Sequence, residues 1–192
     1  MDQVVFDGAN VLYLVSMLPE GARERPVAGG WTIGQTVVHL GQTAEAYAAA
    51  LSRMRKGEPL ALDTIEVDPA AATVGMFNSG ESRIDEPSTF LVGREHFLGE
   101  LELVDPTLLH AEYEGHPVKP MFVSWSRHSM HHGVGIVEAL PEMWDDAIAL
   151  TWVFEADLSY DADLYARQQA LLPRVRAHLA DLENAEQKGK KK

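Results

Sequence analysis

Apolar residues recur along this chain at helical spacing, and few stretches alternate as strands do. The pattern predicts a first helix over about Val4 to Leu18, with Phe6, Val11, Leu14 and Leu18 on one side. It ends before "PEGARERPVAGG", a turn-rich linker. "GWTIGQ" opens a second helix: Thr32 is placed as N-cap, and Gln35 three residues on completes a capping-box pattern. This helix is expected to reach about Arg55, burying Ile33, Val37, Leu40, Ala44, Tyr47 and Leu51.

Residues 57–86 are rich in turn formers and acids and show no strong period. A connection that long inside a compact domain is either functional or loosely ordered. A third helix starts near "EPSTF", capped by Ser88 or Thr89, with Phe90, Phe97, Leu101 and Val104 facing inward. "LLHAEYEGHPV" reads as a short extended piece. The fourth helix is expected from Pro120 or just after, as a proline at the first helical position allows, and stops near "ALPEMW". Beyond the tryptophan-bearing "MWDDAIALTWVFEADLSY", a fifth helix covers about Ala162 to Asn184. Leu164, Leu171, Val175, Leu179 and Leu182 lie in phase, and Pro173 should kink or split it.

The 192 residues suit one domain, and 46% hydrophobic content is ordinary for a chain that buries a core. No apolar run approaches the roughly 20 residues of a membrane span. The N-terminus begins acidic and carries no basic region ahead of its apolar stretch, which argues against a secretory signal and for a cytoplasmic protein. A net charge of −13 argues against nucleic acid, which wants a basic footprint. The lysines of "KGKKK" belong to a tail over 185–192 expected to be disordered. With no cysteine there is no disulfide, thiol nucleophile or thiolate zinc site. Any metal must be held by His, Asp or Glu, and any thiol chemistry must use a thiol from outside.

"SRHSMHHGVG", residues 126–135, places three of the eight histidines in five positions. At about 100° per residue, Phe122, Trp125, Ser129, Ile136, Ala139 and Leu140 share one broad side of the fourth helix. His132 lies in that arc and His128 at its edge. His131 falls opposite, near Arg127 and Glu138, where it should meet solvent. His128 and His132 are thus an i, i+4 pair whose ring nitrogens can converge. Gly133 and Gly135 leave room nearby at some cost in helix propensity. The pair resembles the two zinc histidines of a metalloprotease helix, but that motif's glutamate is missing. The pair alone fits either a metal or two histidines hydrogen-bonded inside a helical core. A third ligand would come from His39, His96, His110, His116, His178 or a carboxylate. His39 sits on the shoulder of the second helix's stripe beside small residues (Thr36, Thr43, Ala46, Ala50), which leaves space for a ligand, but the helical wheel alone favours a half-exposed histidine.

"GWTIGQTVVHLGQTAEAY" resembles the second-helix signature of the DinB/YfiT-like family, where a Trp-Ser/Thr opening precedes a helix bearing a histidine. "HSMHHGVGIVEAL" resembles that family's later helix, where H-x-x-x-H is followed by glycine and an aliphatic stretch. The order and separation of the motifs also fit. The likeness covers residues 1 to about 142, leaving 143–184 as a helical extension of a single domain over 1–184. It implies an all-α, up-down-down-up four-helix bundle, often dimeric, so a homodimer is expected. It implies a divalent metal held by three histidines, which map to His39, His128 and His132. The family includes thiol-dependent S-transferases and mycothiol-dependent maleylpyruvate isomerases. One departure is "GVG" after His132, where Arg-Gly-Gln is common.

Three neutral imidazoles would leave a dication with at least one open position, as at catalytic rather than structural zinc. Zinc, nickel, manganese or iron would suit such ligands. An open dication can acidify bound water or a bound thiol. The expectation is therefore a metal-dependent transferase or isomerase acting on a small molecule with a low-molecular-weight thiol. The alternatives are a metal-hydroxide hydrolase, or a non-catalytic module that binds a small molecule or metal. Neither nucleic acid nor membrane is expected as a partner. Arg94, at the margin of the third helix's stripe, is read as reaching the surface rather than clamping a carboxylate. Trp125 is read as core, Trp31 as packing at the second helix's opening, and Glu138 as solvating its face.

Overall fold

The computed structural model describes residues 2–19, 21–60, 86–144, 152 and 157–189. Five long helices dominate: α1 (Asp2–Ser16), α2 (Ile33–Lys56), α3 (Glu86–Glu102), α4 (Val118–Ala139) and α5 (Ala162–Gly189). Short 3-10 turns lie at Ala22–Glu24, Pro106–His110 and Pro141–Met143. The extended piece expected between α3 and α4 is a ribbon of two strands, β1 (Glu112–Tyr113) and β2 (His116–Pro117), paired antiparallel. The chain is therefore essentially all-α. Most of the 57–86 connection and of the tryptophan-bearing stretch lies outside the described residues.

Why α2 begins where it does is visible in its cap. Gln35 N–H donates to Thr32 Oγ1 at 3.2 Å while Thr32 N–H donates to Gln35 Oε1 at 2.9 Å, so both arms of the capping box form. Its stripe is buried as expected at Ile33, Val37, Leu40, Ala44 and Leu51. Phe90, Phe97, Leu101 and Val104 of α3 are buried too. α3 already runs from Glu86, so Ser88 and Thr89 lie inside it rather than capping it. α4 starts two residues before Pro120, with Pro117 in the cap position. In α1, Val4, Val11, Leu14 and Val15 turn inward, whereas Phe6 is 52% exposed. The face shifted because Asp7, a residue the apolar pattern ignores, is completely buried.

α5 passes Pro173 as one element, and continues to Gly189 instead of ending at Asn184. Residues 185–189, read from the sequence as part of the tail, lie in this helix. Leu164, Leu171 and Val175 are buried, but Leu182 is exposed, and from residue 180 onward the helix stands clear of the protein.

The apolar core forms two clusters. One gathers Val11, Leu14, Val37, Leu40, Phe90, Ile136 and residues of α5. The other gathers Val4, Ala44, Leu51, Phe97, Leu101, Phe122 and Trp125. Each of the first four helices changes cluster partway along its length, and buried polar residues fall at the change: Asp7 in α1, His39 and Thr43 in α2, Arg94 in α3, Ser126 and Ser129 in α4. Polar groups at one level of four helices cost desolvation unless they are bonded or hold something. Ser126 Oγ and Tyr160 Oη both donate to Asp7 Oδ2. Partial desolvation beside that carboxylate pushes the Tyr160 hydroxyl well above the usual phenol range.

α2 meets α3 through glycines. A methyl on Gly41 would come within 2.7 Å of the Thr89 carbonyl oxygen, and one on Gly93 would overlap the Gly41 carbonyl. Backbone cannot rotate away as a side chain can. Gly93→Ala is therefore expected to destabilise the fold by an amount at the upper end of the roughly 1–3 kcal/mol typical of overpacking. Urea denaturation reads this directly, and an unchanged midpoint would show that α2 and α3 can separate without cost.

Candidate metal centre

His39 projects from α2, just after the first helical turns that the capping box fixes. His128 and His132 project from α4, one turn apart on the same flank. One ligand-capable nitrogen of each lies within 4.8 Å of the other two. His39 Nε2 and His128 Nε2 stand 2.9 Å apart, so in the metal-free state one ring donates to the other. Ring centroids are separated by 4.9 Å (39–128), 5.1 Å (39–132) and 4.6 Å (128–132). Imidazole nitrogens around tetrahedral zinc, each about 2.0–2.1 Å from the ion, sit about 3.3 Å from one another. Side-chain adjustments of an ångström or so would convert the observed cluster to that arrangement. His39 is 8% exposed, not the half-exposed shoulder residue that its helical position favoured. His128 and His132 are partly buried, so the cluster is walled on the α2 side and reachable on the α4 side.

His128 and His132 suit a cation better than a proton. Burial, then the neighbouring His39 and His131, lowers His128 to about 4. Burial, then His128 and His39, lowers His132 to about 3. Both imidazoles are neutral at physiological pH, the form that ligates metal.

Trp31 has more to do than pack at the opening of α2. Its ring lies parallel to His132 (centroids 5.9 Å apart, 9° between planes) and edge-on to His39 at 4.9 Å. It is carried by a turn in which Gly29 and Gly30 adopt φ of 104° and 90°, values that favour glycine. The sequence signal was its place one residue before the cap of the helix that bears His39.

His131 does not simply face solvent. It is partly buried, with Nε2 3.3 Å from Asp161 Oδ2. Asp161 also takes Arg127 Nε at 2.6 Å, and its other oxygen accepts the Asp163 and Leu164 amides at the start of α5. The Leu164 amide above all holds this carboxyl below the usual range, helped by His131 and Arg127. Glu138 likewise does more than solvate its face. Arg167 of α5 grips it with Nε at 3.2 Å and Nη2 at 2.6 Å, while Nη1 donates to the His131 carbonyl at 3.2 Å. Neither Asp161 nor Arg167 belongs to a recognisable motif.

Gly133 and Gly135 have separate uses. A methyl at Gly133 would overlap the Trp152 ring, so that space is already filled. Gly135 instead borders a cleft of about 260 Å³ that reaches from His132 to Glu138 and Arg167. Arg94 is buried at 9% exposure, beside Gly8 and paired with Glu95, rather than reaching the surface. Trp125 is core, as expected, at 0%. Among the other histidines, His96 pairs with Glu45 at the surface and His178 rests against Trp144, both far from the cluster in partnership.

No described helix is long and apolar enough to cross a membrane. Comparison with protein-family models, with curated proteins and with solved structures finds no match for this chain.

Proposed function

We propose that the protein is a divalent-metal-dependent enzyme whose metal is held by His39, His128 and His132, and that it transfers or isomerises a small substrate with the help of a low-molecular-weight thiol. The observation that carries this reading is the convergence of three imidazoles from two helices, with His132 bordering a cleft. A divalent cation held there would supply a Lewis-acidic centre able to acidify a coordinated thiol or water at neutral pH. The chain's own part is to present three imidazole donors, to cover one side with the Trp31 ring, and to leave the His132 side open. A protein without cysteine must take its thiol from solution. The resemblance to the DinB/YfiT-like family, with its four-helix bundle, belongs to the same proposal. The polar level shared by α1 to α4 supports it. So does the exposed apolar face of α1 (Phe6, Tyr13, Met17) for the homodimer that the resemblance implies.

Turnover of small electrophiles by metal-loaded protein, with and without added thiol, tests the reading. Consumption that needs both metal and thiol is the expected result. Metal-dependent turnover that ignores the thiol would replace the transferase by a hydrolase. No turnover by metal-loaded protein across a broad electrophile panel would leave a binding module.

A further inference from the structure

Resting on the metal reading above, we infer that the cleft beside His132 binds the carboxylate of a small anionic ligand on Arg167, while the ligand's other end reaches the three-histidine centre.

The cleft has an apolar wall, Val27 and Ala28 from the turn that carries Trp31, and a floor kept low by Gly135. His132 lines it together with Glu138 and Arg167, the last two each about one-third exposed or less. Arg167 bonds the carbonyl of His131, the residue next to His132. A molecule of a few carbons can therefore reach from His132 to the guanidinium.

Arg167 is shaped for the task. A guanidinium carries five N–H groups. Its contacts with Glu138 and the His131 carbonyl use one on Nε, one on Nη1 and one on Nη2. One N–H remains on each terminal nitrogen. These N–H groups can donate charge-assisted hydrogen bonds to carboxylate oxygens. Glu138 and the His131 carbonyl hold the side chain in place before any ligand arrives, so little rotamer freedom is lost on binding.

Charge favours an anion as well. Around the cleft, Arg127 pairs with Asp161 and Arg167 with Glu138, so these cancel. A dication on the triad would leave the cleft positive within a protein of net charge −13. A neutral ligand would gain nothing from this field.

The test uses a homologous series of ω-mercaptocarboxylates, with two to five methylenes, and the matching mercaptoamides. Binding to the metal-loaded full-length protein is measured by calorimetry, and metal content is measured on the same preparations. For at least one length the carboxylate is expected to bind ten-fold or more tightly than its amide. Arg167→Gln should erase that preference and leave amide affinity unchanged, with the helical signal confirming that the variant folds. Equal affinity of acid and amide at every length in the wild-type protein overturns the inference without any variant. So does a preference that survives Arg167→Gln. A preparation that holds no metal yet keeps the carboxylate preference contradicts the metal reading alone. One that holds metal and shows no preference contradicts the cleft assignment alone.

Discussion

Replacing His132 with alanine is expected to lower bound divalent metal to background while the helical circular-dichroism signal persists. The size of the loss follows from the ligand count. Removing a group that merely orients a ligand costs about 10–100-fold in metal affinity, so removing one ligand of three should cost more than about 100-fold. The fold should survive because His132 is only partly buried and sits at the edge of the cleft, not among the fully buried side chains of either core cluster. Its loss also removes a desolvated imidazole crowded by two others. His131→Ala is the control, since His131 adjoins the cluster in sequence but turns toward Asp161. That variant should keep its metal. Undiminished metal in His132→Ala would refute the assignment.

The metal-free protein should lose stability steeply on mild acidification. His128 titrates at about 4 and His132 at about 3 in the folded chain, against about 6.5 when unfolded. Well above pH 6.5 neither state binds protons at these rings, and the linkage is silent. Below 6.5 the unfolded chain takes up two protons that the folded chain refuses, so stability falls as pH falls. Between pH 6.5 and 5.0 the two rings together should cost about 3 kcal/mol. The slope weakens as His128 and then His132 protonate within the fold. Asp105, Asp157 and Asp161 have lowered values and act in the same direction, but mainly at lower pH, where carboxylates protonate when unfolded. Urea denaturation in chelator at the two pH values measures the difference. The double variant His128→Gln, His132→Gln should be nearly flat across this window. A wild-type profile equally flat would mean that the rings are not held neutral.

The pairing of His128 with His132 was legible because helical spacing alone puts residues four apart on one flank. The start of α2 was legible because Thr32 and Gln35 carry their bonding partners within one turn. The triad needed more. Whether His39 meets α4 depends on how α2 and α4 are placed, and that placement rests on contacts such as Gly41 against α3, which no local pattern encodes. Resemblance to a known family pointed to the third histidine where the helical wheel favoured a half-exposed residue. The rest was hidden for one physical reason. Asp7, Arg94, Asp161 and Arg167 are charged residues whose burial or pairing is set by distant chain, while a hydrophobic pattern assigns charge to solvent. The outward turn of Phe6 follows from the inward turn of Asp7. The length of α5 was underestimated because its last turns have no apolar stripe to bury, and stand clear of the core.

X-ray absorption at the metal edge of untagged protein, as purified, tests the central claim most directly. One equivalent of a divalent metal per chain is predicted, with three imidazole nitrogens at about 2.0–2.1 Å for zinc and at least one further light-atom ligand from solvent. A metal-free chain, or a bound metal whose ligand shell lacks three imidazoles, would contradict the account.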